Sequence, residues 1–215
     1  MSVFDKHAYR YDLWYERPFG RSAFELELKC LKKLAGSFRR GLEVGIGTGR
    51  FASGLRIAYG IDPSFEMLKL ARKRGIKVVR GEGEHLPFKA KSFDLVLVAV
   101  SICFVREPIR VLKEISMVLQ SEGKLLLGLV VRESPWAKFY MRKARAGHPI
   151  YREAKFYSMA EVERMLTVSG FRRERLLSTL LEEPQDKEPV KNTRIEEGFN
   201  PSAGFICMEA TLKPR

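Results

Sequence analysis

Three glycines and two acidic residues in the first third of the chain form the pattern that most directly implies a ligand. The stretch GLEVGIGTGRF places Gly45, Gly47 and Gly49 after a short apolar run, with Glu43 two residues before the first of them. Glycines between a strand and a helix leave backbone N–H groups free at the helix N-terminus, where they bind anions. Asp62 ends the next apolar run, where an acidic side chain can accept the hydroxyls of a ribose.

The spacing of these residues separates several classes of ligand. The dinucleotide-binding fingerprint needs its third glycine one position later, and this chain has Arg50 there. A phosphate loop ending in Gly-Lys-Ser/Thr is absent from the sequence. A carboxylate at Glu43 is unfavourable beside phosphates and favourable beside an ammonium group. The set therefore favours a nucleoside joined to an amino acid.

Four ordered blocks of the sequence resemble the class I S-adenosylmethionine-dependent methyltransferases. They are LEVGIGTGRF, YGIDPSFEML, GEGEHLPFKAKSFDLVLVAVSICFV and VLKEISMVLQSEGKLLLG, within residues 42–130. The last two blocks resemble especially the branch that includes the ubiquinone and menaquinone biosynthesis methyltransferases. A weaker resemblance continues in KFYSMAEVERMLTVSGF.

The resemblance implies S-adenosylmethionine as the cofactor and S-adenosylhomocysteine as its product. It implies that Glu43, Gly45, Gly47 and Gly49 hold the methionine part and that Asp62 binds the ribose. The residues implied beside the adenine are Pro63, Met67, Glu82, Gly83 and Glu84, and those near the sulfonium are Val98 and Ala99. No catalytic residue is assigned, because methyl transfer depends mainly on alignment and exclusion of water.

The elements that must position these residues follow from alternating strand-like and helix-like segments, which predict an α/β fold. Together with the resemblance, they predict a Rossmann-like, doubly wound, seven-stranded and mostly parallel sheet with an antiparallel last strand. Ser158 and Glu161 form a capping box at the start of a helix that Gly170 ends. The predicted strands are 41–44, 58–61, 77–79, 93–99, 124–131, 171–181 and 204–212, and other predicted helices are 65–74 and 109–119.

One domain over residues 1–215 is expected from the length of the chain. Its parts are an N-terminal cap (1–36), the S-adenosylmethionine-binding half (37–132), an inserted lid or acceptor segment (133–157), and a C-terminal helix with strands (158–215). Residues 182–202 are polar and contain prolines, which predicts a long loop.

Specificity for the methyl acceptor must lie outside the four blocks, and two segments qualify. The N-terminal cap has Tyr11, Trp14 and Tyr15 at helical spacing. Two roles are open for them: a flap that closes over the site, or a hydrophobic cap that packs on the sheet. The insertion mixes aromatic and basic residues, including Tyr140 and the candidate base His148, which suits a small-molecule pocket, an RNA surface or an acidic membrane. Phe104 is a further candidate, since it stands where many relatives have histidine.

Composition limits the remaining classes. The net charge of +13 would attract polyanions, but the basic residues are scattered and no nucleic-acid motif accompanies them. Cysteine and histidine lack metal-ligand spacing, so no metal is expected. There is no signal-peptide pattern and no apolar run long enough to cross a bilayer, which predicts a cytoplasmic protein. No feature specifies an oligomeric state.

A small-molecule methyltransferase is thus the leading hypothesis, with three alternatives. An RNA methyltransferase would use the basic and aromatic segment 135–157, although the Asn/Asp-Pro-Pro-Tyr block and the catalytic Pro-Cys pair are absent. A nicotinamide reductase is disfavoured by Arg50, and a non-enzymatic nucleoside binder by the intact acidic residues.

Overall fold

The strands of the computed structural model, which describes residues 2–214, form one sheet in the order β3-β2-β1-β4-β5-β8-β6-β7. Strands β1 to β5 are all parallel, and β8 runs antiparallel between β5 and β6. The predicted α/β class with a mostly parallel sheet and an antiparallel last strand is confirmed. The strands are β1 Gly41–Val44, β2 Tyr59–Asp62, β3 Lys77–Arg80, β4 Phe93–Ala99, β5 Leu119–Leu129, β6 Phe171–Thr179, β7 Glu196–Glu197 and β8 Phe205–Leu212.

Helices cover both faces of the sheet, as its central strands require. Strand β4 reads FDLVLVA and is buried along almost its whole length, which is the pattern of a parallel strand packed on both sides. One face packs against α5 and α7, and the other against α2, α3 and α4. The helices are α1 Val3–Trp14, α2 Pro18–Ala35, α3 Arg50–Leu55, α4 Phe65–Lys73, α5 Pro108–Val118, α6 Pro135–Arg145 and α7 Met159–Val168.

The structure differs from the sequence prediction at two strands. Strand β5 begins at Leu119, five residues before the predicted start, because Leu119 pairs with Phe93 ahead of a bulge of β5 that separates it from the next pair, Leu95 with Lys124. That pairing also ends α5 at Val118. The two-residue strand β7 lies inside the predicted loop 182–202, so the sheet has seven longer strands and one short edge strand.

Trp136 fixes the inserted segment to the rest of the molecule. Its side chain is fully buried and stacks on Phe19 of α2, with ring centroids 5.5 Å apart. Its indole N–H donates to the Glu182 carbonyl oxygen over 3.0 Å, which satisfies the one polar atom that burial would otherwise leave unpaired. Helix α6 is therefore anchored both to α2 and to the loop after β6.

The capping box at the start of α7 is formed as predicted. Ser158 accepts the Glu161 N–H, and Glu161 accepts the Ser158 N–H. We predict that Ser158→Ala lowers the free energy of unfolding by about 1 kcal/mol, because one orphan N–H of the helix loses its partner. Urea unfolding measures this change. Ser116→Ala, in the last turn of α5, is the control and is expected to change stability by less than about 0.5 kcal/mol; equal effects would contradict the assigned role of the box.

Candidate active site

Two adjoining cavities lie where the carboxyl ends of β1, β2 and β4 meet. The first cavity has a volume of about 500 Å³ and is bordered by the loops that follow these three strands. The second cavity has a volume of about 250 Å³ and lies between α1, α2, the end of β5 and the inserted segment. Tyr11, Tyr15, Val100 and Phe104 line both, so the two spaces share a wall of mainly aromatic side chains.

The first cavity contains nearly all residues that the sequence analysis assigned to the cofactor. Gly49 alone is outside its lining, since it packs against Ala71 and Ile76 at the start of α3. The assigned residues in the lining are Glu43, Gly45, Gly47, Asp62, Pro63, Met67, Glu82, Gly83, Glu84, Val98 and Ala99. The structure therefore brings together side chains that are up to 56 positions apart in the sequence.

The glycine loop is shaped by its neighbours as well as by its backbone. Gly45 has a φ of 71°, and a Cβ there would lie 2.5 Å from Cβ of Ser101, which itself donates to the Val44 carbonyl oxygen. Gly47 also has a positive φ, yet a Cβ there would meet no atom within 4 Å. The loop is therefore closed by protein at Gly45 and open at Gly47.

Glu43 is a buried carboxyl group at the start of α3. It is 1% exposed, and its Oε2 accepts the Ala52 N–H over 2.8 Å. Burial raises the pKa of Glu43 well above its usual range, against the opposing effect of the Ala52 N–H, and the Asp62 charge raises it further. From the sequence, the free N–H groups at the start of α3 were expected to bind the ligand. In the structure, one of them, the Ala52 N–H, is bound by Glu43 instead.

Asp62 is held in place through both of its carboxylate oxygens. Oδ2 accepts the Gly47 N–H at 2.9 Å, and Oδ1 accepts the Ser64 N–H at 2.8 Å. Burial raises the pKa of Asp62, and the two N–H groups oppose that effect. A carboxylate has about four lone-pair sites, so two remain for hydroxyl donors in the cavity.

The two acidic residues assigned beside the adenine have different environments. Glu84 is buried, and its Oε1 accepts the backbone N–H groups of Arg106 and Glu107. It therefore holds the loop before α5. Glu82 is exposed at the cavity rim, and its carboxylate has no hydrogen-bond or ion-pair partner among residues 2–214, so it is the one of the pair that is free to accept from a ligand.

Helix α1 forms a roof over both cavities and is attached at its two ends. Near its start, Asp5 accepts the Ser64 hydroxyl at 2.7 Å, and this bond lowers the pKa of Asp5 to about 2. Near its end, the Asp12 carboxylate binds Arg50 and Arg74 at 2.8–3.0 Å. Burial acts to raise the pKa of Asp12, but the hydrogen bonds from the two guanidinium groups outweigh it and the pKa is lowered. The clamp is therefore fully charged at neutral pH.

The contacts of Arg50 explain why this chain has arginine at the position of the third glycine in the dinucleotide-binding fingerprint. Its guanidinium group reaches back from the start of α3 to Asp12 and lies 4.9 Å from the ring centre of Tyr15. A glycine at that position would lose the attachment of the roof helix to the cofactor loop.

The second cavity collects all six side chains that the sequence analysis proposed for the acceptor. These are Tyr11, Trp14, Tyr15, Phe104, Tyr140 and His148. The Tyr11 and Tyr15 hydroxyls are hydrogen-bonded to each other at 2.9 Å, and Tyr140 stacks on Tyr151 with centroids 4.5 Å apart. His148 packs beside Tyr151, and burial lowers the pKa of His148. Aromatic rings thus form a large part of the cavity wall, beside aliphatic side chains of β5 and the inserted segment.

Among the lining residues of the two cavities that were not predicted from the sequence, three bear directly on the site. Val100 has a φ of 46°, a rare conformation for a β-branched residue, and lies where the two cavities meet. Glu27 and Tyr151 line the second cavity. No spacing rule identifies any of the three, because each reaches the cavity through tertiary packing. The sequence indicates only on which side of α2 Glu27 lies.

The aromatic rings of the insertion differ in burial, and the partly exposed ring of Phe139 lies beneath Arg142 and Lys143. Trp136, Phe156 and Tyr157 are buried, while Lys138 and Arg145 are exposed. Stacking of RNA bases needs exposed aromatic faces beside the positive charge. The burial of these three rings makes them unavailable for stacking on RNA bases and agrees with the pocket hypothesis.

Metal-ligating clusters and membrane-spanning helices are two further features that bear on the class of protein. Over residues 2–214 there is no group of three or more metal-ligating side chains. Over the same residues no helix is long and apolar enough to span a membrane.

Comparison with known proteins places these features in a family. Residues 42–127 match the family model of a methyltransferase domain. A solved structure from Thermotoga maritima, described as a SAM-dependent methyltransferase and possible histamine N-methyltransferase, is 34% identical; it superposes with a TM-score of 0.89 over 98% of this chain and 99% of that one. A Methanocaldococcus jannaschii protein without an assigned function is 37% identical over 98% of both chains. The demethylmenaquinone methyltransferase of Thermotoga maritima is 30% identical over 59% of each chain.

The clamp on α1 generates a prediction about local stability. Asp12→Ala leaves two largely buried guanidinium groups without their shared carboxylate, and we expect a loss of about 2–3 kcal/mol. Amide hydrogen exchange in residues 3–14 should accelerate more than exchange in β4. Glu16→Ala is the control, because Glu16 also binds Arg50 but is half exposed, and its loss should cost less than about 1 kcal/mol. Equal acceleration in both variants would show that burial of Asp12 is not what holds the helix.

The buried Glu43 generates a prediction about protons. Because burial raises its pKa, Glu43 keeps its proton to higher pH than an exposed glutamate does, and the protonated fraction grows as the pH falls. An ammonium group bound beside it favours the carboxylate, so S-adenosylhomocysteine should release up to about one proton per ligand, increasingly at lower pH. Titration calorimetry in buffers of different ionisation enthalpy measures this release.

Two controls identify the source of that proton. Methylthioadenosine has no amino-acid part and should release no proton from Glu43. The variant Glu43→Gln should bind S-adenosylhomocysteine without proton release. Release that persists in this variant would assign the proton to another group.

Proposed function

The chain belongs to the class I S-adenosylmethionine-dependent methyltransferases, and from this membership we propose that it methylates a small-molecule acceptor held in the second cavity. The observation that carries the proposal is that a cavity of about 250 Å³, lined by aromatic and aliphatic side chains, shares its wall with the larger cavity beside the glycine loop. Transfer of a methyl group requires two ligands whose reacting atoms are about 3–3.5 Å apart. Two adjoining cavities with common lining residues meet that requirement.

The residues of the first cavity fit S-adenosylmethionine. Its volume of about 500 Å³ lies within the usual range of roughly 300–1,000 Å³ for small-molecule sites. Glu43 is a buried carboxyl group without a cationic partner among the described residues, which suits the ligand's ammonium group. Asp62 retains acceptor sites for a ribose, and Glu82 has a free carboxylate at the rim for the adenine amino group.

When bound, S-adenosylmethionine would supply a methyl group on a positively charged sulfur. A nucleophile of the acceptor would take up this methyl carbon in line with the carbon–sulfur bond, which leaves a neutral thioether. The protein's own residues bind, orient and exclude water. Tyr11, Tyr15, Val100 and Phe104 lie at the junction of the cavities and shape the space in which the acceptor atom approaches. The roof helix α1 covers this junction, because it contributes Phe4 against Phe104 with ring centroids 5.0 Å apart.

The descriptions of two relatives support a chemical class for the acceptor. The solved relative from Thermotoga maritima is described as a possible histamine N-methyltransferase, and another relative acts on demethylmenaquinone. Both descriptions concern small molecules, which supports a small-molecule acceptor for this chain as well. An RNA acceptor receives support from the net charge of +13, but the buried aromatic residues of the insertion oppose it.

Thermal unfolding with and without ligands tests the proposal. S-adenosylhomocysteine at a hundredfold excess over its dissociation constant should add about 2.7 kcal/mol to the free energy of unfolding. For a chain of this length that raises the midpoint by about 5–10 °C. NADH should leave it unchanged. Asp62→Ala should lose most of the shift, because the ribose loses its acceptor, while Glu122→Ala, which removes an exposed carboxylate in β5, should keep it.

Stabilisation by NADH and not by S-adenosylhomocysteine would overturn the cofactor assignment. Salt-sensitive binding of RNA, together with no methylation of any small molecule tested, would instead overturn the proposal that the acceptor is a small molecule.

A further inference from the structure

We propose that the acceptor carries a positively charged ammonium group and that Glu27, within a ring of tyrosines, binds it in the second cavity. This inference rests on the proposed function, since it names the class of molecule that the second cavity takes. It makes Glu27 a specificity-determining residue. It does not depend on which atom of the acceptor receives the methyl group.

Glu27 lines the second cavity from α2 and has no partner there. It is half-buried, and among residues 2–214 no hydrogen bond or ion pair reaches its carboxylate. Carboxylates in such surroundings are normally paired, because burial of an unpaired charge is costly. Glu16, Asp12 and Asp186, which lie on neighbouring segments, all have basic partners. A carboxyl group that faces a cavity without a partner is therefore the feature that a bound cation would satisfy.

The surrounding rings are suited to the same cation. Tyr11, Tyr15, Tyr140 and Tyr151 line the cavity together with Trp14. Aromatic faces attract ammonium groups by about 0.5–2 kcal/mol each, more strongly when water is excluded. Burial raises the pKa of all four phenols, and the Glu27 charge adds to that effect, which places the carboxylate within electrostatic reach of each. The tyrosines therefore stay neutral over the working pH range.

The basic residues of the cavity do not neutralise Glu27. Lys143 is paired with Asp186. Arg10 and Arg17 are exposed at the surface, where water and salt screen them. His7 and His148 are the remaining basic side chains of the lining, and burial lowers the pKa of His148 so that it is uncharged above pH 7.

The protonation of Glu27 gives the inference a pH signature. Burial raises the pKa of Glu27 to about 8, so the free protein holds mostly the neutral acid at pH 6.5 and mostly the carboxylate at pH 8.5. An alkyl ammonium group, with a pKa near that of lysine at about 10.4, stays charged over this interval. Affinity for such a cation should therefore rise by up to about 20-fold between pH 6.5 and 8.5.

The test uses three probes of similar shape and different charge with protein saturated with S-adenosylhomocysteine. They are phenethylammonium, the neutral phenethyl alcohol and the anionic 3-phenylpropionate, and titration calorimetry measures their binding. We expect phenethylammonium to bind most tightly at pH 8.5. The variant Glu27→Gln should weaken it by about 10-fold or more, the effect of losing a hydrogen bond to a charged group. Affinity for the alcohol should change little.

The control variant is Glu25→Gln, which removes the same charge from the exposed side of the same helix and should leave all three affinities unchanged. The rise in affinity with pH should appear in the parent protein and in Glu25→Gln and be absent from Glu27→Gln. A contribution from His7 or His148 would be common to all three proteins, so the difference between them isolates Glu27.

The outcomes separate this inference from the proposed function. Tighter binding of the alcohol or the anion, no binding of phenethylammonium, or an affinity that Glu27→Gln leaves unchanged would overturn the role of Glu27. Failure of S-adenosylhomocysteine to bind would overturn the proposed function, and it is measured separately before any probe is added.

Discussion

The attachment of helix α1 to the glycine loop is the interaction on which both cavities depend. Asp12 joins Arg50, at the start of α3, to Arg74, at the end of α4, so a single carboxylate connects the cap to two helices that follow neighbouring strands. This connection helps to hold α1 as the roof of the first cavity and to place Tyr11 and Trp14 in the wall of the second. The catalytic framework of the fold and the acceptor site are thus joined through an ion pair that is largely shielded from water.

The sequence predicted best those features that are local or that the parallel sheet imposes. Residues after successive parallel strands meet at one edge, so the amino-acid sequence was enough to place Glu43, Asp62 and Ala99 together. The capping box at Ser158 needs only four residues, and the bounds of β4 follow from one apolar run. The early start of β5 could not be predicted, because polar residues 120–123 bulge out of the ladder between Leu119 and Lys124, and only the pairing of Leu119 with Phe93 extends the strand past them.

The second cavity shows why the remaining features could not be predicted from the sequence. Glu27 has an ordinary position in an amphipathic helix, and its importance arises from Tyr140 and Tyr151, more than a hundred residues away, which line the same cavity. Arg50 departs from a dinucleotide motif, and the reason lies in its partner Asp12, 38 positions earlier in the sequence. The aromatic residues of the insertion form a group in the sequence, but only packing decides which of them face inward and which basic residues stay outside.

The shared roof also has a kinetic consequence. Helix α1 covers the first cavity with Val3 and Phe4 and the second with His7 and Trp14, while Tyr11 touches both. Ligands that leave beneath this helix must cross one common barrier, the opening of α1, whichever cavity they occupy. The residence times of the two products are then coupled, and a change that loosens Asp12 shortens both together, even though it touches neither ligand.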